Sequence, residues 1–148
     1  MNKIIAVNRQ ASHEYFLLDR YEAGIALVGT EIKSIRQGNC NLKGSYIDVK
    51  EGEAYLKDMH IAEYEQGNRF NHDTKRPRKL LLHKREIAKL QDKVKLKGFT
   101  IVPTKLYFNK GLAKVEIALA KGKELHDKRQ SLKEKEAKRE VERAIKNR

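Results

Sequence analysis

Strict alternation of apolar and polar positions is clearest between residues 112 and 120, where Val115, Ile117 and Leu119 interleave with Lys114, Glu116 and Ala118. This period of two sets one strand face on a core and the other in water. Asn109-Lys110-Gly111 separates that run from Thr100 to Phe108 and predicts a hairpin. Pro103 has no amide hydrogen for a ladder, so it belongs at an edge or a bulge. Upstream, His13 to Leu27 is rich in aromatic and aliphatic residues and predicts a long strand bent at Gly24. Residues 46 to 49 and 54 to 56 flank Lys50-Glu51-Gly52-Glu53 as a four-residue hairpin loop, and His60 to Tyr64 adds one more short strand. Helical spacing is rarer. Ile87, Leu90 and Val94 fall at i, i+3 and i+7 and predict a helix from about Lys84 to Lys97, with Glu86 near its start and Gly98 as its stop. Thr30 is placed to cap a short helix that ends at Arg36, with Gly38 supplying the left-handed stop. The sum is about six short antiparallel strands with two helices, a mainly β chain that suits a small, partly open barrel.

The pattern changes after Ala120. From Lys121 to Arg148 there are eleven basic and six acidic residues, and the larger apolar residues shrink to Leu125, Leu132, Val141 and Ile145. Such a segment cannot bury enough to offset its own ordering entropy. Within it Ala137, Val141, Ala144 and Ile145 fall at i, i+4, i+7 and i+8, and Glu134/Lys138 and Glu142/Lys146 pair opposite charges at i, i+4. The expectation is therefore a folded unit over 1–120 and a basic tail over 121–148, disordered when free and helical on a polyanion.

Charge narrows the function. Across 148 residues the formal net charge is +13, more than solubility needs, and it calls for an anionic partner. Membrane surfaces also attract cations, but anchoring needs an exposed apolar face that the basic segments lack. Nucleic acid fits better. Ile4 to Val7 is too short for a secretory signal, and no run has the length of a membrane span. The single cysteine, Cys40, allows neither an intrachain disulfide nor a cysteine-based zinc site, so a cytoplasmic protein is expected.

The densest basic stretch is Lys75-Arg76-Pro77-Arg78-Lys79-Leu80-Leu81-Leu82-His83-Lys84-Arg85, with six cations in eleven residues. It ends where a helix begins, so free amide groups would stand beside the cations, and both favour phosphate. The alternative is a merely solvated loop. In the earlier helix, Lys33 and Arg36 share one face, opposite a face led by Ile32 and Ile35. Tyr21, Tyr46, Tyr55 and Tyr107 are available to stack on unpaired bases, although a small barrel also needs large side chains in its core. Asn71-His72-Asp73 and His126-Asp127-Lys128-Arg129 are the stretches nearest to an acid/base set. The former is explained better by turn chemistry, and the latter lacks a rigid supporting shell. No glycine-rich nucleotide loop, zinc motif or nucleophile elbow occurs. No catalytic residue, metal or cofactor is expected.

Five blocks taken in order resemble one family: Asn8-Arg9-Gln10-Ala11; Tyr21-Glu22-Ala23-Gly24-Ile25; Gly29-Thr30-Glu31-Ile32-Lys33-Ser34-Ile35-Arg36; Arg78-Lys79-Leu80-Leu81-Leu82-His83; and Ala120-Lys121-Gly122-Lys123 with Asp127-Lys128-Arg129. They are similar to the SsrA-binding proteins, or small protein B, bacterial partners of transfer-messenger RNA. The resemblance implies a six-stranded antiparallel barrel of the oligonucleotide-binding type with two or three helices. It also implies a monomeric adaptor that binds the tRNA-like domain of that RNA, assists its charging by alanyl-tRNA synthetase, and delivers it with elongation factor Tu to stalled ribosomes. Glu22, Leu81 and His83 inherit RNA contacts from the resemblance, and Asn8, Arg9, Lys33, Arg36, Arg76, Arg78, Lys79 and Lys84 join them as the surrounding cations and polar groups. Gly122, Lys123, His126, Asp127, Lys128, Arg129, Ile145 and Lys146 inherit a ribosomal role in the decoding centre and message channel. Where many members read Gly-Lys-Lys, this chain reads Gly122-Lys123-Glu124 and loses one cation at the root of the tail.

Overall fold

The computed structural model describes residues 2–66, 71–96 and 98–123. Among them are nine strands, β1 (Asn2–Val7), β2 (Tyr15–Ile25), β3 (Cys40–Asn41), β4 (Tyr46–Lys50), β5 (Glu53–Lys57), β6 (His60–Ile61), β7 (Arg78–Leu81), β8 (Phe99–Asn109) and β9 (Leu112–Gly122), and three helices, α1 (Arg9–Glu14), α2 (Gly29–Arg36) and α3 (Lys84–Val94). Seven strands form one sheet in the order β1-β8-β9-β2-β7-β5-β4, and β3 pairs with β6 as a separate ribbon. All pairings are antiparallel. The sheet curls so that β4 packs against β8 without pairing to it, which makes a partly open barrel. Ile35, Leu56, Met59, Ile61, Leu90, Leu106 and Ile117 are among the side chains that fill it.

The main sheet thus carries one strand more than the six expected. Two of its strands leave weak traces in the sequence: β1 is a short edge without clean alternation, and β7 is embedded in the basic run. Both predicted hairpins, β4–β5 and β8–β9, turn more tightly than expected. Glu51-Gly52 and Lys110-Gly111 have φ of 54° and 76°, and of 53° and 76°, so each pair has the two positive angles of a two-residue type I′ turn. That turn twists with the strands it joins, and the Lys50 to Glu53 loop shrinks to its two central residues.

Strand irregularities also fall in particular places. The register of β8 against β9 shifts between Pro103 and Lys105, the bulge that a missing amide hydrogen favours. β2 shifts against β9 between Leu17 and Arg20, and no register shift falls at Gly24. Gly24 serves a different purpose: a Cβ there would lie 3.2 Å from the Cβ of Leu81 on β7. Its missing side chain lets Leu81 lie down on the neighbouring strand.

Helix ends follow local chemistry. Val28, not Thr30, is the N-cap of α2, and the Glu31 carboxylate accepts the Val28 N–H at 2.9 Å. At the other end the Gly38 N–H donates to the Ile35 carbonyl and the Asn39 N–H to that of Ser34, with φ of +76° at Gly38, a Schellman stop. α3 ends at Val94, three residues short of expectation, and Gly98 follows with φ +88°. The β9 ladder in turn runs past the expected end of the folded unit. Gly122 pairs with Tyr15, and the Lys123 N–H donates to the Glu14 carbonyl at 2.9 Å. Lys121 and Gly122 thus belong to the sheet.

Candidate nucleic-acid interface

Strand alternation divides the basic run in two. Along β7, Arg78 and Leu80 point inward while Lys79 and Leu81 point out. Leu80 pairs with Ile25 and joins the core, but Leu81 is 58% exposed over Gly24. The chain then passes through Leu82 to His83, whose N–H is held by the Glu86 carboxylate at 3.1 Å, and Lys84 opens α3. Lys79, Leu81, His83 and Lys84 line one open groove of about 530 Å³ with Glu22 from β2 and Lys114 from β9. Five residues singled out from the sequence, Glu22, Lys79, Leu81, His83 and Lys84, and one that was not, Lys114, converge there.

Glu22 is fixed inside that groove. The buried Tyr107 on β8 donates its hydroxyl hydrogen to the Glu22 carboxylate. Burial, and then the hydrogen bond to Glu22, push the Tyr107 hydroxyl well above its ordinary range, so it stays a donor at any physiological pH. Tyr107 was a candidate for base stacking; it instead orients an acid. Lys79 also makes an exposed ion pair with Glu53 at 3.3 Å, which competes only weakly for an incoming phosphate.

α2 extends the cationic surface. Arg36 lines a further groove that shares Leu81, Gly24 and Lys114 with the first, and Lys33 lines another together with Thr30, His72 and Arg76. The buried face of α2 is Glu31, Ser34 and Ile35. Ile32, expected on that face, is only half-buried.

Two predicted contacts have structural jobs instead. The Arg78 side chain is fully buried: its Nε lies 2.6 Å from Glu31 Oε2, and its terminal nitrogens donate to the carbonyls of Met59 and Thr74. No donor edge is left facing water for a phosphate. Glu31, equally buried, also takes Arg76 at 2.5 Å. Burial alone would raise the Glu31 carboxyl, but hydrogen bonds from Arg76, the Val28 N–H and Arg78 outweigh it and hold the group below the usual carboxylate range. Arg76 keeps about a third of its side chain exposed and so faces both ways. Asn8 is the second correction. It is buried, caps α1 by accepting the Ala11 N–H, and donates to the Pro103 carbonyl at 2.9 Å. Its neighbour Arg9 is exposed on α1 and lines none of the three grooves above.

The stretches nearest to an acid/base set behave as follows. His72 is buried between the Thr30 hydroxyl, 2.8 Å from Nδ1, and the Ile61 carbonyl, 2.9 Å from Nε2, an arrangement in which Nε2 carries the proton. Asp73 accepts the Lys75 N–H, and Asn71 bridges both backbone groups of Tyr64, the turn chemistry expected of them. Among the described residues no cluster of three or more His, Cys, Asp or Glu is placed to hold a metal, and no helix is long and apolar enough to cross a membrane. Tyr21, Tyr46, Tyr55 and Tyr107 sit on four different strands, and Tyr46 and Tyr55 share one face of the β4–β5 pair. His126, Asp127, Lys128, Arg129, Ile145 and Lys146 lie outside the described residues, as does Glu124.

Sequence reasoning overlooked Lys114, which lines both the Lys79 and the Arg36 grooves, and Phe108 and Leu112, which line the latter. Lys114 is polar in an alternating strand and so predictably outward, but only the β2–β9 register, which pairs it with Gly24, reveals that it faces the groove.

The family model for SmpB protein matches residues 5–147, nearly the whole chain. The chain belongs to the SmpB family. An SsrA-binding protein from Carboxydothermus hydrogenoformans is 57% identical over 148 residues, covering 100% of this chain and 99% of its own. One from Geobacillus thermodenitrificans is 58% identical over 146 residues, covering 99% and 94%. Among solved structures, a chain described under "tmRNA-SmpB: a journey to the center of the bacterial ribosome" matches with a TM-score of 0.69 at 48% identity, over 86% of this chain and 93% of that one. The family thus spans both the grooved barrel and the segment beyond Lys123.

Proposed function

We propose that the chain is a non-catalytic adaptor that binds the tRNA-like domain of transfer-messenger RNA and carries it to stalled ribosomes for trans-translation. The observation that carries this reading is the convergence of Glu22, Lys79, Leu81, His83 and Lys84 on one open groove. Cations there neutralise phosphates, and the exposed Leu81 gives an apolar surface for a splayed base. Glu22, locked by Tyr107, offers an acceptor for a base amino group and so contributes selectivity rather than attraction. Membership of a family whose relatives are named SsrA-binding proteins supports the choice of RNA.

The finer parts of the proposal concern partners and the tail. Presenting the RNA to alanyl-tRNA synthetase and to elongation factor Tu requires the acceptor end to stay free of the groove. Lys123, His126, Asp127, Lys128, Arg129, Ile145 and Lys146 act on the ribosome, and work in the cytoplasm follows from that task. The test is a binding competition at moderate salt followed by a tagging assay on stalled ribosomes. The full chain should retain labelled transfer-messenger RNA against excess ordinary tRNA. A chain cut after Lys123 should bind that RNA as well as the full chain but fail to support tagging. Displacement by any polyanion of equal charge would defeat the proposal.

A further inference from the structure

The groove beyond Leu81 has a different chemistry from its neighbour. It encloses about 350 Å³ between α2 and the β8–β9 turn, and is lined by Ile32, Arg36, Leu81, Phe108, Leu112 and Lys114 among others. Leu112, the first residue after the Lys110-Gly111 turn, is 62% exposed, and Leu81 is 58% exposed. Two large aliphatic side chains left in water along one groove point to something that covers them. The Arg36 guanidinium carbon lies 5.9 Å from the centre of the Phe108 ring, which supplies a cationic, π-rich patch. No carboxylate lines the groove, while Arg36 and Lys114 both do.

An occupant must therefore be flat and apolar on its faces, small, and attached to negative charge. A volume near the lower end of the roughly 300–1,000 Å³ range of small-molecule sites suits one or two fused rings and excludes a helix. The groove also shares Gly24, Leu81 and Lys114 with the larger groove next to it, which Lys79 and Lys84 line together with Glu22, Glu53 and Glu86, so one ligand can occupy both. We propose that this second groove seats one unpaired nucleobase of the RNA whose backbone follows the Lys79–Lys84 groove. This inference rests on the RNA-binding reading above. Leu81 then forms the ridge between the phosphate track and the base seat, and Leu112 is the wall that closes over the base.

The test combines a salt titration with a single deletion. Leu112→Ala removes apolar contact but no charge, from a turn-flanking residue outside the core. In the full chain it should weaken binding of transfer-messenger RNA about five- to tenfold while leaving the slope of log Kd against log salt unchanged. Arg36→Ala should weaken binding and also lower that slope by about one. With RNAs carrying single abasic sites, one position should make Leu112→Ala and the unaltered chain bind alike. If Leu112→Ala binds like the unaltered chain, or if its loss comes with a reduced salt slope, the base seat is wrong. If the unaltered chain shows no preference for the RNA over ordinary tRNA, the RNA-binding reading itself has failed, a separate and recognisable result.

Discussion

Arg78 and Lys79 are adjacent in the chain and carry the same charge, yet they do opposite work. Arg78 is sealed under β7, with its guanidinium divided among Glu31 and the backbone carbonyls of Met59, Asp73 and Thr74. Lys79 stands on the outer face among groups that line an open groove. The pleat separates them: one residue along a strand is the difference between a cation that holds α2 to β7 and a cation left for a ligand. A basic run is therefore not one site. Its inward members stabilise the platform, and its outward members, with Leu81 between them, use it.

The sharpest way to break this division is Glu31→Ala. It strands the buried Arg78 without its counter-ion and should cost about 3–5 kcal/mol of stability, read as a lower urea midpoint. Because the Glu31 carboxyl is held below the usual range, its contribution is fully present at neutral pH and above. It is lost as pH falls through the lowered native value, so the unaltered chain should lose its stability advantage over the variant in acid. On the outer face, Leu81→Ala should leave the urea midpoint almost unchanged and cost on the order of 1–2 kcal/mol of RNA affinity by equilibrium filter binding. Tyr107→Phe keeps the ring and removes the hydrogen bond to Glu22. It should cost about 1 kcal/mol of affinity, and that loss should vanish when Glu22 is already alanine, since the hydroxyl acts through the acid. Smallest of all, Lys84→Ala should weaken binding by less than about 1 kcal/mol but lower the salt slope by about one phosphate.

The sequence discloses these two roles unequally. Periodicity displays the β8–β9 hairpin because Val115, Ile117 and Leu119 alternate without interruption, and the two helices expected from spacing and capping residues are both present. It hides β7, whose four residues lie in a run that reads as a charged loop. With β7 hidden, the alternation that sends Arg78 inward could not be applied, and every cation of the run looked equally available. Asn8 misleads for a related reason: an asparagine before an arginine reads equally well as an RNA contact or as a helix cap, and only the contact with Pro103, ninety-five residues away, decides for the cap. The groove residues Glu22, Leu81 and His83 came from the family resemblance, and Lys79 and Lys84 from charge. Lys114 joins them only through the register of β9 on β2, which is a long-range fact with no local trace. Three-dimensional pairing also carries the sheet past Ala120, because Gly122 is held on both sides, by Tyr15 in the ladder and by the Gly98 carbonyl.

The central claim is that the outward face of β7, together with β2 and β9, holds the RNA. Photo-cross-linking of the complex with transfer-messenger RNA, followed by mass spectrometry of the attached peptides, tests it most directly. The account predicts cross-links clustered in residues 22–24, 79–84 and 112–114. Cross-links confined to α1 and the β4–β5 hairpin, in a complex of undiminished affinity, would contradict it.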